Sequence, residues 1–174
     1  MRGLTVFFTG LSGAGKSTTA ARLQEALQAD GRQVTLLDGD AVRKQISRDL
    51  GFSRQDREEN IRRVAEAAAG IMKRGEICIC AAIAPYDSAR KKAREIVAAV
   101  GDFVLVYMKT PLEVCEARDP RGLYAKARSG ELQHFTGVSD PYEPPSDAEV
   151  VIDTTNIETD AAVESIKGAL RGHL

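Results

Sequence analysis

The sequence predicts a three-layer α/β domain built on a mostly parallel sheet of about five strands. Two observations predict it. Short apolar runs at residues 4–9, 34–37, 76–82, 103–108 and 149–152 alternate with helical patterns near 16–29, 41–47, 54–74, 87–99, 111–118 and 159–171. The first four runs also lack regular polar alternation, which is the pattern of strands covered on both faces. Strands separated by helices of this length need right-handed crossovers, hence parallel neighbours. The 174 residues suit one domain, 1–174, able to bury a core without disulfides or metals.

The first run, Leu4-Thr5-Val6-Phe7-Phe8-Thr9, is far too short to cross a bilayer, and no signal peptide is visible in the sequence. This predicts a cytoplasmic protein with no membrane partner. The run leads into Gly10-Leu11-Ser12-Gly13-Ala14-Gly15-Lys16-Ser17, which matches the Walker A pattern in full, with a strand before it and a helix after it. Glycines let backbone N–H groups curl around an anion, and the helix that follows adds its positive end. Lys16, expected on a solvent-facing loop, sets a cation against the β- and γ-phosphates of ATP, and Ser17 offers a hydroxyl to Mg²⁺.

The second strand ends in Asp38-Gly39-Asp40, where parallel sheets open their ligand crevice. Asp38 is a candidate Mg²⁺ ligand. Asp40 could accept a proton from an attacking hydroxyl, or simply cap the next helix. In helix 54–74 the apolar stripe runs through Ile61, Val64, Ala65, Ala68, Ile71 and Met72. Arg57 falls on that stripe and Asn60 at its edge. An inward arginine must meet an anion or a polar cleft, because an unpaired buried charge is costly; the alternative is that Arg57 lies just beyond the core and is solvated.

The third run carries Cys78 and Cys80 on one face. With Cys115 they read as reduced core thiols and not a metal site, and His134 and His173 lack ligand spacing to them. Residues 119–145 show no clear strand or long helix. They hold Gly122, Gly130, Gly137, several prolines, Tyr124, Phe135, Tyr142, Arg121, Lys126 and Arg128. A long irregular segment of this kind reads as a lid that touches a ligand.

These features select among phosphate-loop classes. No Asn-Lys-x-Asp is present for guanine, and Asp119-Pro120-Arg121-Gly122 follows a helix, not a strand. The chain is too short for a motor ATPase. A net charge of −1 argues against a nucleic-acid partner held by bulk electrostatics. A small-molecule kinase with a phosphate-loop NTPase fold and a lid is what remains.

Beyond the phosphate loop, the chain carries Leu37-Asp38-Gly39-Asp40, Asp49-Leu50-Gly51-Phe52-Ser53, Asp56-Arg57-Glu58-Glu59-Asn60-Ile61-Arg62-Arg63, and Pro111-Leu112-Glu113-Val114-Cys115-Glu116-Ala117-Arg118-Asp119. Gly122-Leu123-Tyr124-Ala125-Lys126-Ala127-Arg128, Phe135-Thr136-Gly137 and Asp140-Pro141-Tyr142-Glu143-Pro144-Pro145 follow in order. In these blocks, from about residue 5 to residue 154, the chain resembles adenylylsulfate kinase (APS kinase). The resemblance implies transfer of the γ-phosphoryl of MgATP to the 3′-hydroxyl of adenylyl sulfate, giving 3′-phosphoadenylyl sulfate in sulfate assimilation. It implies Asp40 and Lys16 as catalytic residues, with Gly10, Leu11, Ser12, Gly13, Ala14, Gly15, Lys16, Ser17, Thr18, Arg118 and Thr154 on ATP. Asp40, Arg43, Phe52, Arg57, Asn60, Ile83, Ala84, Lys126, His134 and Phe135 are implied for the acceptor, with Phe52 and Phe135 stacking on its adenine. A homodimer is implied, and association with an ATP sulfurylase is left open. One departure stands out. Ala84 occupies the place of a family serine associated with a phosphoserine, and alanine cannot carry phosphate. The alternatives are a kinase for another small anionic metabolite, or a non-catalytic nucleotide-binding homologue.

Overall fold

β1 (Gly3–Gly10) is the middle strand of a five-stranded sheet in the order β2-β3-β1-β4-β5, with every pair parallel. A computed structural model describes residues 3–174. The other strands are β2 (Val34–Asp38), β3 (Ile77–Ala81), β4 (Gly101–Met108) and β5 (Val150–Ile152). The helices are α1 (Lys16–Ala29), α2 (Gly39–Gln45), α3 (Arg54–Met72), α4 (Asp87–Ala98), α5 (Leu112–Arg118), α6 (Leu123–Arg128) and α7 (Thr159–Leu170). The α/β class and the strands match expectation. The segment 119–145 differs: it contains α6, anchored by the buried Tyr124. Six residues are too few for helical periodicity to stand out from the glycines and prolines around them.

The absence of polar alternation in β1 has a direct cause. Leu4, Val6 and Phe8 pack with Leu23 and Leu27 of α1 and Val163 and Ile166 of α7. Phe7 faces the other way, with Ile61 and Val64 of α3 and Val97 of α4, and stacks on Phe103 at 5.6 Å. Both faces of the strand are therefore dry. Cys78 and Cys80 share the α3/α4 face as free, fully buried thiols with sulfurs 3.7 Å apart. α3 opens where Ser53 accepts a hydrogen bond from the Asp56 amide at 3.0 Å, a side-chain cap. Its buried face includes Arg57 and Asn60, as the stripe predicts. No helix among the described residues is long and apolar enough to cross a membrane.

Consecutive strands leave β1 in opposite directions, β3 lying on one side and β4 on the other. Their carboxyl ends therefore part at a crevice, the place where α/β sheets take ligands. Gly10, Asp38, Ala81 and Met108 mark its floor.

Candidate functional site

The phosphate loop leaves β1 at Gly10, which only glycine can fill. Its φ is +152°, and a Cβ there would lie 2.7 Å from the Met108 carbonyl oxygen. Gly15, at φ +94°, turns the chain into α1. Lys16 is the first residue of that helix and is buried, not on a solvent-facing loop. Its ammonium donates to the Gly10 carbonyl at 2.9 Å and the Leu11 carbonyl at 2.7 Å, folding back over the loop. Burial pushes this lysine down to about 8, against the opposing pull of nearby acidic groups including Asp38 and Asp40.

That shift has a consequence with a definite sign. Phosphate favours the charged ammonium, so nucleotide affinity should be full below about pH 8 and fall as pH rises past that value. Above it, binding must take up a proton. ADP titrated calorimetrically at alkaline pH, in buffers of different ionisation enthalpy, is expected to show that uptake. Lys16→Met should abolish it.

Ser17 Oγ donates to Asp38 Oδ1 at 3.1 Å, joining the start of α1 to the end of β2. Asp38 holds the N-cap position of α2, yet its side chain makes no capping bond there. A hydroxyl and a carboxylate side by side at an exposed edge are hard oxygen donors. They fit Mg²⁺, which takes one or two protein oxygens and completes its shell with phosphate and water.

On the other side of the loop, Arg118 donates to the Gly13 carbonyl at 3.1 Å, to Thr154 Oγ1 at 2.9 Å and to the Thr154 carbonyl at 2.9 Å. Thr154 in turn donates to the Ala14 carbonyl at 3.0 Å. Thr110, at the end of β4, reaches the same carbonyl at 3.2 Å and was not anticipated from sequence. A single threonine after a strand carries no signal of its own. Thr18 is exposed and lines an open cleft between α1 and α7.

Asp40 lies exposed in the first turn of α2, so the capping alternative is not realised. Its carboxylate is paired with the guanidinium of Arg121, from the start of the 119–145 segment. Lys126 is exposed on α6. The cation that this segment brings to Asp40 is therefore Arg121, which sequence reasoning did not assign.

Arg57 is buried, and protein acceptors surround it. Nε donates to the Phe52 carbonyl at 3.0 Å, Nη1 to Thr136 Oγ1 at 3.1 Å, and Nη2 to the His134 carbonyl. Asp140 stands 3.6 Å from Nη2. One guanidinium thus holds the backbone of Phe52 itself and that of His134 beside Phe135. The two rings differ sharply. Phe52 is 55% exposed, with the Arg43 guanidinium 4.7 Å above it. Phe135 is 7% exposed and meets Tyr124 edge-to-face at 4.9 Å. His134 adopts φ +54° with its ring exposed, Nδ1 lying 3.6 Å from Asp140. The buried amide oxygen of Asn60 has no partner among the described residues.

Ile83 and Ala84 form the turn after β3, pressed against the root of the phosphate loop. The Ile83 carbonyl accepts from Thr9 Oγ1 at 2.6 Å and the Gly10 amide at 3.3 Å. Ala84 is buried at φ +45°. The crevice thus gathers the phosphate loop, Asp38, Asp40 and this turn, while Phe52, Arg57 and Phe135 form a neighbouring cluster.

Comparison with known proteins agrees with this arrangement. The family model described as adenylylsulphate kinase matches residues 2–153. An adenylyl-sulfate kinase of Synechococcus sp. (strain JA-3-3Ab) is 47% identical over 172 residues, covering 99% of this chain and 96% of that one. A sulfate adenylyltransferase of Aspergillus oryzae is 49% identical over 166 residues, covering 95% of this chain but 29% of its own length. Among solved structures, a Mycobacterium tuberculosis APS kinase in complex with AMPPNP and APS superposes with a TM-score of 0.94 at 41% identity, covering 97% of this chain and 98% of that one.

Proposed function

The chain belongs to the adenylylsulphate kinase family, and from that premise we infer that it transfers the γ-phosphoryl group of ATP to the 3′-hydroxyl of adenylyl sulfate, yielding 3′-phosphoadenylyl sulfate and ADP for sulfate assimilation. The observation that carries this reading is a complete phosphate loop with Asp38 and Asp40 beside it, on a chain that matches the family along most of its length. Phosphoryl transfer needs chiefly positioning and charge stabilisation, not covalent chemistry from the protein. The loop amides and Lys16 hold the phosphates. Asp40 orients the attacking hydroxyl and accepts its proton once Arg121 releases it. Arg118 and Thr154 flank the nucleotide base. Mg²⁺ held by Ser17 and Asp38 would neutralise charge on the β- and γ-phosphates.

For the acceptor, we assign Arg43, Phe52, Arg57, Asn60, Ile83, Ala84, Lys126, His134 and Phe135. Residues 119–145 act as a lid on a single domain, closing over both substrates to exclude water. The Aspergillus relative carries a segment like this one in a longer chain named for the preceding activity. That supports an ATP sulfurylase as a partner, and a homodimer is the assembly we propose for the chain itself. A non-catalytic reading rests on Ala84 alone and is outweighed by intact Lys16, Ser17 and Asp40.

Turnover tests the assignment. ADP release with adenylyl sulfate should exceed that with nucleoside monophosphates or sugar acids, and no preference would sink it. Phe52→Ala should weaken adenylyl sulfate binding by on the order of 1–3 kcal/mol, the usual worth of a base stacked on an aromatic, with the KM for ATP unchanged. If only the ATP constant rises, the two adenine sites are reversed.

A further inference from the structure

The inward face of α4 carries Ala89, Arg90, Ala93 and Val97, all buried. Arg90 is 2% exposed. It is out of place by two physical criteria. A cation in the first turn of a helix opposes the dipole. A buried guanidinium also demands partners, and the carboxylate within reach, Asp87, is 3.4 Å away and partly exposed.

Backbone carbonyls meet it instead, one from the turn just before α4 and one from a segment far along the chain. Nη1 donates to the Ala84 carbonyl at 2.7 Å and Nη2 to the Glu143 carbonyl at 2.6 Å. Nε is buried without a partner among the described residues. The guanidinium also lies 5.8 Å from the ring centre of Tyr142, which stacks on Tyr107. The hydroxyls of Tyr142 and Thr9 are 2.9 Å apart. Burial holds the Tyr142 phenol far above its ordinary range, so it stays a hydrogen-bonding O–H. Two more bonds run in parallel: the Glu143 amide to the Pro85 carbonyl at 2.8 Å, and the Asp87 amide to Glu143 Oε1 at 2.9 Å.

We propose that Arg90 is a positioning residue for the acceptor, locking the turn at Ile83 and Ala84 to the base of the lid at Tyr142 and Glu143. Acceptor pocket and lid hinge then move as one piece. The nucleotide side, held by Arg118, Thr154 and Thr110, is tied to other elements. The proposal rests on the reading of Ile83 and Ala84 as acceptor-lining.

The experiment compares wild type with Arg90→Met, which keeps the aliphatic bulk and removes both carbonyl bonds. The KM for adenylyl sulfate should rise about tenfold while that for ATP stays within about twofold. Arg90→Lys, a single-point donor, should fall between them. Hydrogen exchange at the Glu143 amide should accelerate in Arg90→Met, with α3 and β4 amides unchanged. Should Arg90→Met fail to fold, Tyr142→Phe removes only the bond to Thr9 and should shift the adenylyl sulfate constant in the same direction. Equal rises in both constants, a lowered melting temperature with unchanged kinetics, or unchanged exchange at Glu143 would each overturn the proposal. Wild-type turnover of adenylyl sulfate tests the underlying function separately, and the exchange measurement judges Arg90 even if that turnover is absent.

Discussion

Lys16→Ala is expected to lower kcat by on the order of 10²–10³ or more, the cost of removing one preorganised charge from a developing transition state. The side chain sits at the point where the loop closes on α1, touching the Gly10 and Leu11 carbonyls. No second lysine lies within the loop to take its place. Stability should change little. The variant loses two hydrogen bonds to loop carbonyls but also relieves the desolvation that pushes the ammonium down to about 8. Steady-state turnover beside a thermal melt separates the two effects. A folded variant with wild-type turnover would remove the phosphate loop from the mechanism.

Asp40→Asn should cost about 10²–10⁴ in kcat, the range for loss of a general base. Asparagine keeps the size of the side chain and an oxygen that can still accept from Arg121. What it lacks is the basicity to take a proton. The variant therefore tests proton transfer and leaves the lid contact largely in place. Ala84→Ser should change the rate far less. Ala84 is buried at φ +45°, its carbonyl held by Arg90, and it has no group to carry phosphate. Direct transfer predicts that wild type incubated with MgATP alone stays unmodified by intact-mass measurement. A stoichiometric phosphoenzyme that passes its phosphate to adenylyl sulfate would overturn this, as would near-normal turnover in Asp40→Asn.

The legible parts of this protein were the local ones. Both faces of β1 are covered, so its apolar run showed no alternation and could be read as a central strand. The glycine spacing at Gly10, Gly13 and Gly15 encodes backbone angles that other residues avoid, and the loop follows from that chemistry. The stripe of α3 placed Arg57 inward without contact information, because helical periodicity alone fixes which face a residue shares. Periodicity names a face but not the partner on it. Arg57 turned out to bind the segment that carries Phe135, Arg121 to reach Asp40, and Arg90 to join the turn at Ala84 to Glu143. Phe135, read as a ring for stacking, is buried against Tyr124. Each of the three arginine pairings, with the His134 carbonyl, with Asp40 and with the Glu143 carbonyl, links residues far apart in the chain. It depends on where the folded sheet and helices place two backbones to within an ångström, and neither composition nor spacing along the chain carries that distance.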